Sequence, residues 1–328
     1  MRRLKVGCVG TGFIAGRHLA ALASFDDVDV VAVADPLPGR AEAAAVAHDA
    51  RSYDDGIALL EAEELDALWI CVPPFAHGAI ERAAIERGLP FLVEKPLAND
   101  LDTAVDIADR VLSSGVLAAV GYHWRYLSIV EKAGAMLAGT APSLASGYWL
   151  DSTPPVSWWI QRQLSGGQVV EQTTHLFDLA RLLVGEVDLV SALEVPAGDA
   201  DQVPVASSAA LRFASGAVGT IASARVLHAR HRVGLQLVAD GCAVELSERS
   251  LTDHELRVVT ADGEEVYHVD EDPIAAEDRA FLDAVAGESN DVRAPYADAL
   301  CSHLLSWAAD RSAREGVPVV PSEEIPHG

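Results

Sequence analysis

The sequence predicts an α/β protein, with a doubly wound parallel sheet followed by an α+β domain that holds a large, open, mostly antiparallel sheet. The chain has 328 residues, more than one ordinary domain contains. In its first part, apolar runs alternate with helical patterns, which is typical of a parallel sheet covered by helices on both faces. Beyond residue 121, strand-like runs follow one another with Ser215-Gly216, Asp240-Gly241 and Asp262-Gly263 between them as hairpin turns.

Residues 1–121 supply the alternating elements. The predicted strands are residues 4–10, 28–34, 65–72, 91–93 and 116–120, and the predicted helices are residues 13–24, 38–47, 76–87 and 100–114. Pro73-Pro74 ends the third strand, because proline removes a ladder hydrogen bond. Gly88 and Gly115 end two helices, since glycine readily adopts the left-handed C-cap conformation. This pattern predicts a first domain that closes at residue 121.

Residues 122–328 form the second predicted domain, and the boundary is a change of pattern rather than a flexible linker. The predicted helices are residues 126–138, 168–184, 274–286 and 296–314. The predicted strands are residues 143–150, 187–195, 203–213, 217–227, 232–239, 242–247, 254–260 and 264–269. Because most of these strands are joined by hairpins, we expect one antiparallel sheet.

The composition excludes several classes of function. A formal net charge of -25 and a pI of about 4.6 give a surface that repels phosphate backbones, so no nucleic-acid partner is expected. We find no apolar stretch long enough to span a bilayer, so no membrane partner is expected either. The basic start at Met1-Arg2-Arg3 passes too soon into a glycine motif for a signal peptide. We therefore expect a cytoplasmic protein without disulfides.

The glycine-rich segment from Gly10 to Gly16 lies between the first predicted strand and the first helix. Gly10 permits a tight turn, and Gly12 lets the backbone approach a pyrophosphate at the helix N-terminus. The third glycine, Gly16, comes one position later than in the usual dinucleotide fingerprint, and a plain turn is the alternative reading. Taken with its place between strand and helix, the motif predicts a dinucleotide site.

Asp35 closes the second predicted strand, about 20 residues after the glycine segment. In this arrangement an acid accepts hydrogen bonds from the adenosine ribose hydroxyls and repels a 2′-phosphate. The residue therefore predicts NAD in preference to NADP, unless it is only the turn residue of an Asp-Pro pair. Arg40 would contact a 2′-phosphate and weaken that preference.

Lys95 is one of only three lysines, with Lys5 and Lys132, and it lies in the segment Glu94-Lys95-Pro96 after a predicted strand. Ligands of doubly wound folds bind at the carboxyl ends of the strands. There a lysine can hydrogen-bond a substrate oxygen and stabilise developing negative charge. A surface lysine before a turn is the alternative.

Glu171 and His175 are four residues apart in the long predicted helix, so they share a face. A carboxylate beside an imidazole can raise its pKa and fix its tautomer, which suits a general acid or base near neutral pH. A solvated helix pair is the alternative. No group of histidines, cysteines or acids has the spacing of a metal site, so no metal is expected, and His228 and His231 are interpreted as solvated.

These motifs, in this order, resemble the Gfo/Idh/MocA family, named for glucose-fructose oxidoreductase, inositol dehydrogenase and rhizopine catabolism. The resemblance covers essentially the whole chain. It rests on the Gly10-to-Gly16 segment, Asp35, Tyr53-Asp54-Asp55, Pro73-Pro74 with His77, Glu94-Lys95-Pro96, the run from Gly121 to Tyr126, the segment from Gly166 to Asp178, and the run from Pro295 to Leu300.

The resemblance implies a Rossmann domain that binds NAD, a cis peptide before Pro96, and His175 as acceptor of the proton from the reacting hydroxyl. It implies that Lys95 lies between the nicotinamide ribose and the substrate. The expected cofactor contacts are Gly10, Gly12, Phe13, Ile14, Asp35, Arg40, Val72, Pro73, Pro74, His77, Glu94 and Lys95. The expected substrate contacts are Lys95, Arg125, Trp158, Trp159, Glu171 and His175, of which Lys95, His175 and Glu171 are catalytic.

Two positions depart from the family pattern. Glu171 stands where the family usually has aspartate, and Thr173 stands where it has glycine. For Arg125 and the Trp158-Trp159 pair, packing is the alternative to lining a pocket.

The implied function is hydride transfer between nicotinamide and a secondary hydroxyl or ketone of a sugar, inositol or related polyol. An NAD-retaining glycosidase and a non-catalytic NAD or sugar sensor are the alternatives. The resemblance also implies a homodimer or homotetramer formed through the open sheet.

Overall fold

A computed structural model describes residues 3–324 of the chain. The chain divides into two compact units. The first comprises Met1–His123 and Ile274–Ala299, and the second comprises Trp124–Pro273 and Leu300–Gly328. Among residues 3–324, no helix combines the length and apolar character needed to cross a membrane.

The N-terminal part of the chain alternates strands and helices. Its elements are β1 (Leu4–Val9), α1 (Phe13–Ala23), β2 (Val28–Ala34), α2 (Arg40–His48), β3 (Arg51–Tyr53), α3 (Gly56–Ala62), β4 (Ala67–Ile70), α4 (Ala79–Glu86), β5 (Phe91–Val93), α5 (Leu101–Ser114) and β6 (Ala118–Val120). Short 3-10 turns lie at Pro74–Ala76 and His123–Tyr126. The sequence did not predict β3 and α3, because a three-residue strand is too short to show a period.

The later part of the chain is richer in strands. Its elements are α6 (Ser128–Leu137), β7 (Leu144–Ser152), α7 (Arg162–Ser165), α8 (Gln168–Glu171), α9 (Thr174–Val184), β8 (Val187–Val195), β9 (Ala206–Phe213), β10 (Val218–Leu227), β11 (Arg232–Ala239), β12 (Cys242–Ser250), β13 (Asp253–Thr260), β14 (Gly263–Val269), α10 (Pro273–Ala286) and α11 (Tyr296–Glu315). A 3-10 turn at Pro321–Glu323 follows them.

The sheet of the first unit has the strand order β3-β2-β1-β4-β5-β6, and its neighbouring strands pair in parallel. The order reverses between β1 and β4, which makes the carboxyl ends of these two strands the expected binding edge of a doubly wound sheet. The strands are apolar because both faces of the sheet are covered. The predicted doubly wound domain is confirmed.

Helix α10 returns to the first unit, although the sequence analysis assigned all residues after 121 to the second domain. Its Phe281 is fully buried and packs edge-on against Trp69 of β4, with ring centroids 5.3 Å apart. After α10, Pro295 pairs with Ala119 of β6. A single boundary at residue 121 therefore misses this return, because periodicity along the chain does not reveal which sheet a late helix covers.

The second unit contains an eight-stranded sheet in the order β14-β13-β12-β11-β7-β10-β9-β8. All neighbours are antiparallel except β7 and β10, so the predicted mostly antiparallel sheet is confirmed. Helix α9 packs on β7 and β11, and α6 packs on β12, β13 and β14. The opposite face carries exposed apolar side chains, among them Leu193, which is 75% exposed, and Val218, which is 52% exposed.

Candidate functional site

The glycine segment forms the turn between β1 and α1. Gly10 has a φ of +90°, and a Cβ at this position would lie 2.2 Å from the carbonyl oxygen of Cys71, so no other residue fits. A Cβ on Gly12 would meet no atom within 4 Å. The first turn of α1 contains no acidic residue. An open space in front of a helix whose first turn carries no acidic residue fits a pyrophosphate.

Asp35 lies directly after β2 and is 6% exposed. Its Oδ2 accepts hydrogen bonds from the backbone amide and the hydroxyl of Thr11, each at 3.0 Å, and its Oδ1 accepts one from the Leu37 amide at 2.9 Å. The carboxylate therefore fixes the glycine segment and retains an acceptor site for a further donor. Arg40, the first residue of α2, is exposed.

The segment after β4 carries Val72, Pro73, Pro74 and His77, as the sequence predicted for the binding edge. His77 Nδ1 is 2.6 Å from Glu81 Oε1, and Glu81 also accepts a hydrogen bond from the Gly78 amide at 2.6 Å. Within residues 3–324, the buried Nε2 of His77 has no hydrogen-bond partner. The atom is an unused hydrogen-bonding group, and its contact with the cofactor stays a prediction.

The Glu94-Lys95-Pro96 segment follows β5, at the same edge of the sheet. The peptide between Lys95 and Pro96 is cis, as expected. Glu94 is 3% exposed, and its Oε2 accepts a hydrogen bond from the Lys95 amide at 3.0 Å. A Cβ on Gly121 would lie 2.7 Å from the Glu94 carboxylate, so this glycine makes room for that side chain.

Glu94 belongs to a buried network of charged side chains. His18 of α1 is fully buried, with Nδ1 2.7 Å from Asp278 Oδ1 and Nε2 3.1 Å from Glu94 Oε1. Asp278, on α10, also accepts a hydrogen bond from the indole of Trp69 at 2.8 Å. No local sequence pattern indicates this network, because its members come from three distant parts of the chain.

The network has the ligand types of a metal site. Ligand atoms of His18, Glu94 and Glu277 lie within 4.8 Å of one another. Both ring nitrogens of His18 already face carboxylates, so we interpret the cluster as a buried ion-pair network rather than a cation site.

The pKa shifts in this network agree with an ion pair. Burial alone would lower the pKa of His18, but Asp278 and Glu94 raise it well above 6.5. Burial would raise the pKa of Glu94, yet the hydrogen bond and charge of His18 lower it below 4.5. Burial also raises the pKa of Asp278 above 3.8, an effect that His18 opposes. His18 is therefore the cation and Glu94 the anion in the folded chain.

We expect His18→Asn to lower the free energy of unfolding by about 3 kcal/mol near pH 6, because it leaves two buried carboxylates without their cation. A raised pKa stabilises the fold fully below the unfolded value of 6.5 and loses that effect as the pH rises toward the folded value. Urea unfolding against pH checks both statements. Relative to the double variant His18→Asn/Glu94→Gln, the wild type should lose stability above pH 6.5; a constant difference would contradict the ion pair.

In the second unit, His175 lies at the start of α9, after a turn built on Gly166 and Gly167. Both glycines have positive φ values, 75° and 90°, which favour glycine. The prediction of one continuous helix over residues 168–184 was wrong, because it breaks at Gln172 and Thr173 between α8 and α9. Glu171 ends α8, so its expected helix face in common with His175 does not exist.

The His175 ring is 4% exposed and lies parallel to two indoles. Its centroid is 6.4 Å from that of Trp124 at an interplanar angle of 18°, and 6.0 Å from that of Trp149 at 16°. The Trp124 indole donates a hydrogen bond to Glu248 at 2.9 Å. Stacking on two rings restricts the orientation of the imidazole, as a proton acceptor requires.

The other predicted substrate residues make contacts inside the second unit. Arg125 is 5% exposed and donates from Nε and Nη2 to the two oxygens of Asp178, at 2.8 and 2.5 Å. Trp159 is 1% exposed, and its indole donates to Glu171 at 2.6 Å. Trp158 is partly exposed. These contacts are compatible with the packing role considered as the alternative, and substrate binding by Arg125, Trp158 and Trp159 stays a prediction.

Some residues around His175 had no sequence signal. Trp124, Trp149 and Glu248 belong to separate strands or turns and meet only through the sheet register. His228 and His231 are exposed, as predicted, but Arg230 between them is partly buried against Asp151 and Glu248.

Comparison with known proteins agrees with this arrangement. A model of an oxidoreductase family with an NAD-binding Rossmann fold, GFO/IDH/MocA, matches residues 4–122. The model of the GFO/IDH/MocA C-terminal domain matches residues 141–245. The matched segments contain the glycine segment, the Glu94-Lys95-Pro96 segment and His175.

Individual relatives carry the names of dehydrogenases. Inositol 2-dehydrogenase from Rhizobium meliloti is 30% identical over 68% of this chain and 69% of its own length. The NAD(+) scyllo-inositol 2-dehydrogenase from Bacillus subtilis is 29% identical over 72% of this chain and 71% of its own length. The solved structure of levoglucosan dehydrogenase in complex with NADH has the same fold, with a TM-score of 0.86 over 100% of both chains at 21% identity.

Proposed function

This chain belongs to the Gfo/Idh/MocA family of NAD-binding oxidoreductases, and we propose that it oxidises a secondary hydroxyl of a sugar, inositol or related polyol. The observation that carries the proposal is the buried His175 imidazole, whose ring lies parallel to two neighbouring indoles in an NAD-binding oxidoreductase. A fixed, buried imidazole is suited to accept a proton from an alcohol.

The first unit offers groups for each part of the cofactor. We propose that Gly10, Gly12, Phe13 and Ile14 hold the pyrophosphate and that Asp35 binds the adenosine ribose. Val72, Pro73, Pro74, His77 and Glu94 would contact the nicotinamide half. When bound, NAD supplies the hydride acceptor, and the protein supplies orientation and charge.

The reaction then needs two protein groups at the substrate. We propose that His175 accepts the hydroxyl proton, while Lys95 donates a hydrogen bond to the same oxygen and stabilises its developing negative charge. Loss of hydride from the carbon leaves a ketone or lactone. Glu171 accepts a hydrogen bond from the indole of Trp159, and we propose that it positions this side chain beside the site.

NAD is the preferred cofactor in this proposal. We expect Asp35→Ser to lower the ratio of kcat/KM for NAD over NADP by about 10- to 100-fold, because it removes a charged acceptor of ribose hydrogen bonds and a source of repulsion. Steady-state rates with both cofactors check this. Arg40→Ala is the matched variant and should reduce whatever NADP activity exists. An unchanged ratio in Asp35→Ser would contradict the assignment.

The exposed face of the large sheet is the surface through which we propose that copies of the chain associate. Leu144, Leu193, Val195 and Val218 are 40%, 75%, 55% and 52% exposed on that face. Exposed apolar side chains on a broad sheet favour burial against another surface. We propose that a second copy of the chain covers them, in a cytoplasmic homodimer or homotetramer.

The test of the proposed function is NADH absorbance when the purified chain meets NAD and a panel of inositols, aldoses, anhydrosugars and amino sugars. Growth of NADH in proportion to the substrate consumed is expected for at least one compound. Consumption of a glycoside without NADH growth would instead indicate an NAD-retaining glycosidase. Saturable NAD binding with no consumption of any compound would indicate a sensor.

A further inference from the structure

A row of residues crosses the inner face of the second unit's sheet beside His175. Trp149 of β7 pairs in register with Val233 of β11, Val233 pairs with Glu248 of β12, and Glu248 pairs with His254 of β13. All four are at most 5% exposed. Because burying a carboxyl and an imidazole on an apolar sheet is unfavourable, this row requires an explanation beyond core packing.

Arg230, just before β11, contacts two members of this row. Its Nε donates to Asp151 Oδ2 at 2.8 Å, its Nη1 donates to the Glu248 carboxylate, and its Cζ lies 5.5 Å from the centroid of the Trp149 ring. The side chain is 28% exposed, and its Nη2 has no hydrogen-bond partner among residues 3–324. The Nε and Nη1 donors of the guanidinium are thus engaged, and the Nη2 donor is open to a ligand.

The Arg230 side chain is close to the proposed proton acceptor. A single indole, that of Trp149, contacts both Arg230 and His175. The buried Nε1 of this indole also lacks a hydrogen-bond partner within the described part of the chain. The open Nη2 donor of Arg230 and the unpartnered indole donor of Trp149, one side chain away from His175, indicate a place for hydroxyl oxygens.

Carboxyl groups outnumber cationic groups around Arg230. Asp151 and Glu248 bring two carboxyl groups to one guanidinium. Asp151 is 7% exposed, and its Oδ2 is shared with Arg230. A ligand carboxylate here would meet like charges in a place with little water, whereas neutral hydroxyls can both accept from Arg230 and donate to Asp151.

We propose that Arg230 and Asp151 form a specificity subsite that binds hydroxyls of the substrate remote from the oxidised carbon, and that it selects a neutral polyol or aldose over the corresponding sugar acid. The inference rests on the proposed function, because it takes His175 as the reacting end of the site. Arg230 and Asp151 bind substrate in this assignment and take no part in proton or hydride transfer.

The experiment compares two pairs of probes, D-glucose with D-glucuronate and D-galactose with D-galacturonate, which differ only by a carboxylate on the carbon outside the ring. For the full chain with NAD, we expect kcat/KM to favour the neutral member by on the order of 100-fold. Asp151→Asn keeps the shape and removes a charge, and it should reduce that ratio about 10-fold or more.

Arg230→Met should raise KM for the neutral sugar about 10-fold or more and leave KM for NAD unchanged, because it removes a charged donor to a substrate hydroxyl. Arg232→Met is the matched control. Arg232 lies two residues further on, pairs with Glu245 and lies over the Tyr148 ring, all on the opposite face of the sheet. It should behave as the wild type. If Arg230→Met does not fold, the ratio of kcat/KM for neutral sugar over sugar acid in Asp151→Asn tests the subsite by itself.

Three results would overturn the subsite: equal or better use of the sugar acids by the wild type, an unchanged ratio in Asp151→Asn, or no binding of either member of both pairs. Calorimetric titration of the same probes in the presence of NADH reports binding without turnover. A preference for the neutral sugars in calorimetry without NADH formation by any compound would refute the proposed function and leave the subsite intact.

Discussion

His175→Ala should lower kcat by about 100-fold or more, because removal of a positioned general base raises the barrier by about 3 kcal/mol. The imidazole lies parallel to the indoles of Trp124 and Trp149, and the methyl group of alanine cannot accept a proton there. NAD binding should be unchanged, since the residue lies in the second unit, outside the NAD-binding domain.

Two measurements separate chemistry from folding in this variant. Initial rates of NADH formation give kcat, and fluorescence titration with NADH gives the Kd of the cofactor. His228→Ala, an exposed histidine of the same unit, is the matched control and should keep wild-type values for both. Near-wild-type turnover of His175→Ala would remove this residue from the mechanism.

Lys95→Ala should also lower kcat by about 100-fold or more. The variant loses the cation proposed to stabilise negative charge on the substrate oxygen, while the Lys95 amide can still donate its hydrogen bond to Glu94. The backbone of the segment should therefore remain in place, and the loss should appear in kcat rather than in the Kd of NAD.

Another lysine of the chain, Lys132, provides the control for Lys95→Ala. Lys132 lies on α6 with its Nζ 3.7 Å from the centroid of the Tyr267 ring. Lys132→Ala therefore makes the same substitution outside the proposed site. Lys132→Ala should retain its rate. If Lys95→Ala and Lys132→Ala have equal rates, the proposed role of Lys95 is wrong.

The first unit was largely predictable from the sequence, because local chemistry sets its parts. Gly10 is required by its own backbone conformation and by the neighbouring Cys71 carbonyl, and Asp35 follows its strand directly. The return of α10 to the first unit was not predictable. An amphipathic pattern indicates that one face of a helix is buried, but it does not indicate which sheet that face packs against.

The surroundings of His175 were less predictable for the same physical reason. The residue itself has a motif, but Trp149 contacts it from a distant strand, and Glu248 and Asp151 are linked to it through Trp124 and Arg230. The break at Gln172 and Thr173 also has no signal in apolar periodicity, since α8 and α9 both continue the same pattern. Sequence therefore predicts the reacting group, and only the fold predicts what holds it.

The central claim is that the chain moves a hydride from a secondary alcohol carbon to NAD. The most direct test uses a substrate found by the panel, deuterated at the carbon that is oxidised, with mass spectrometry of the reduced cofactor. We predict one deuterium in each molecule of NADH formed, in step with the substrate consumed, and almost none formed by His175→Ala. NADH without deuterium, or substrate consumed while the cofactor stays oxidised, would contradict the dehydrogenase assignment.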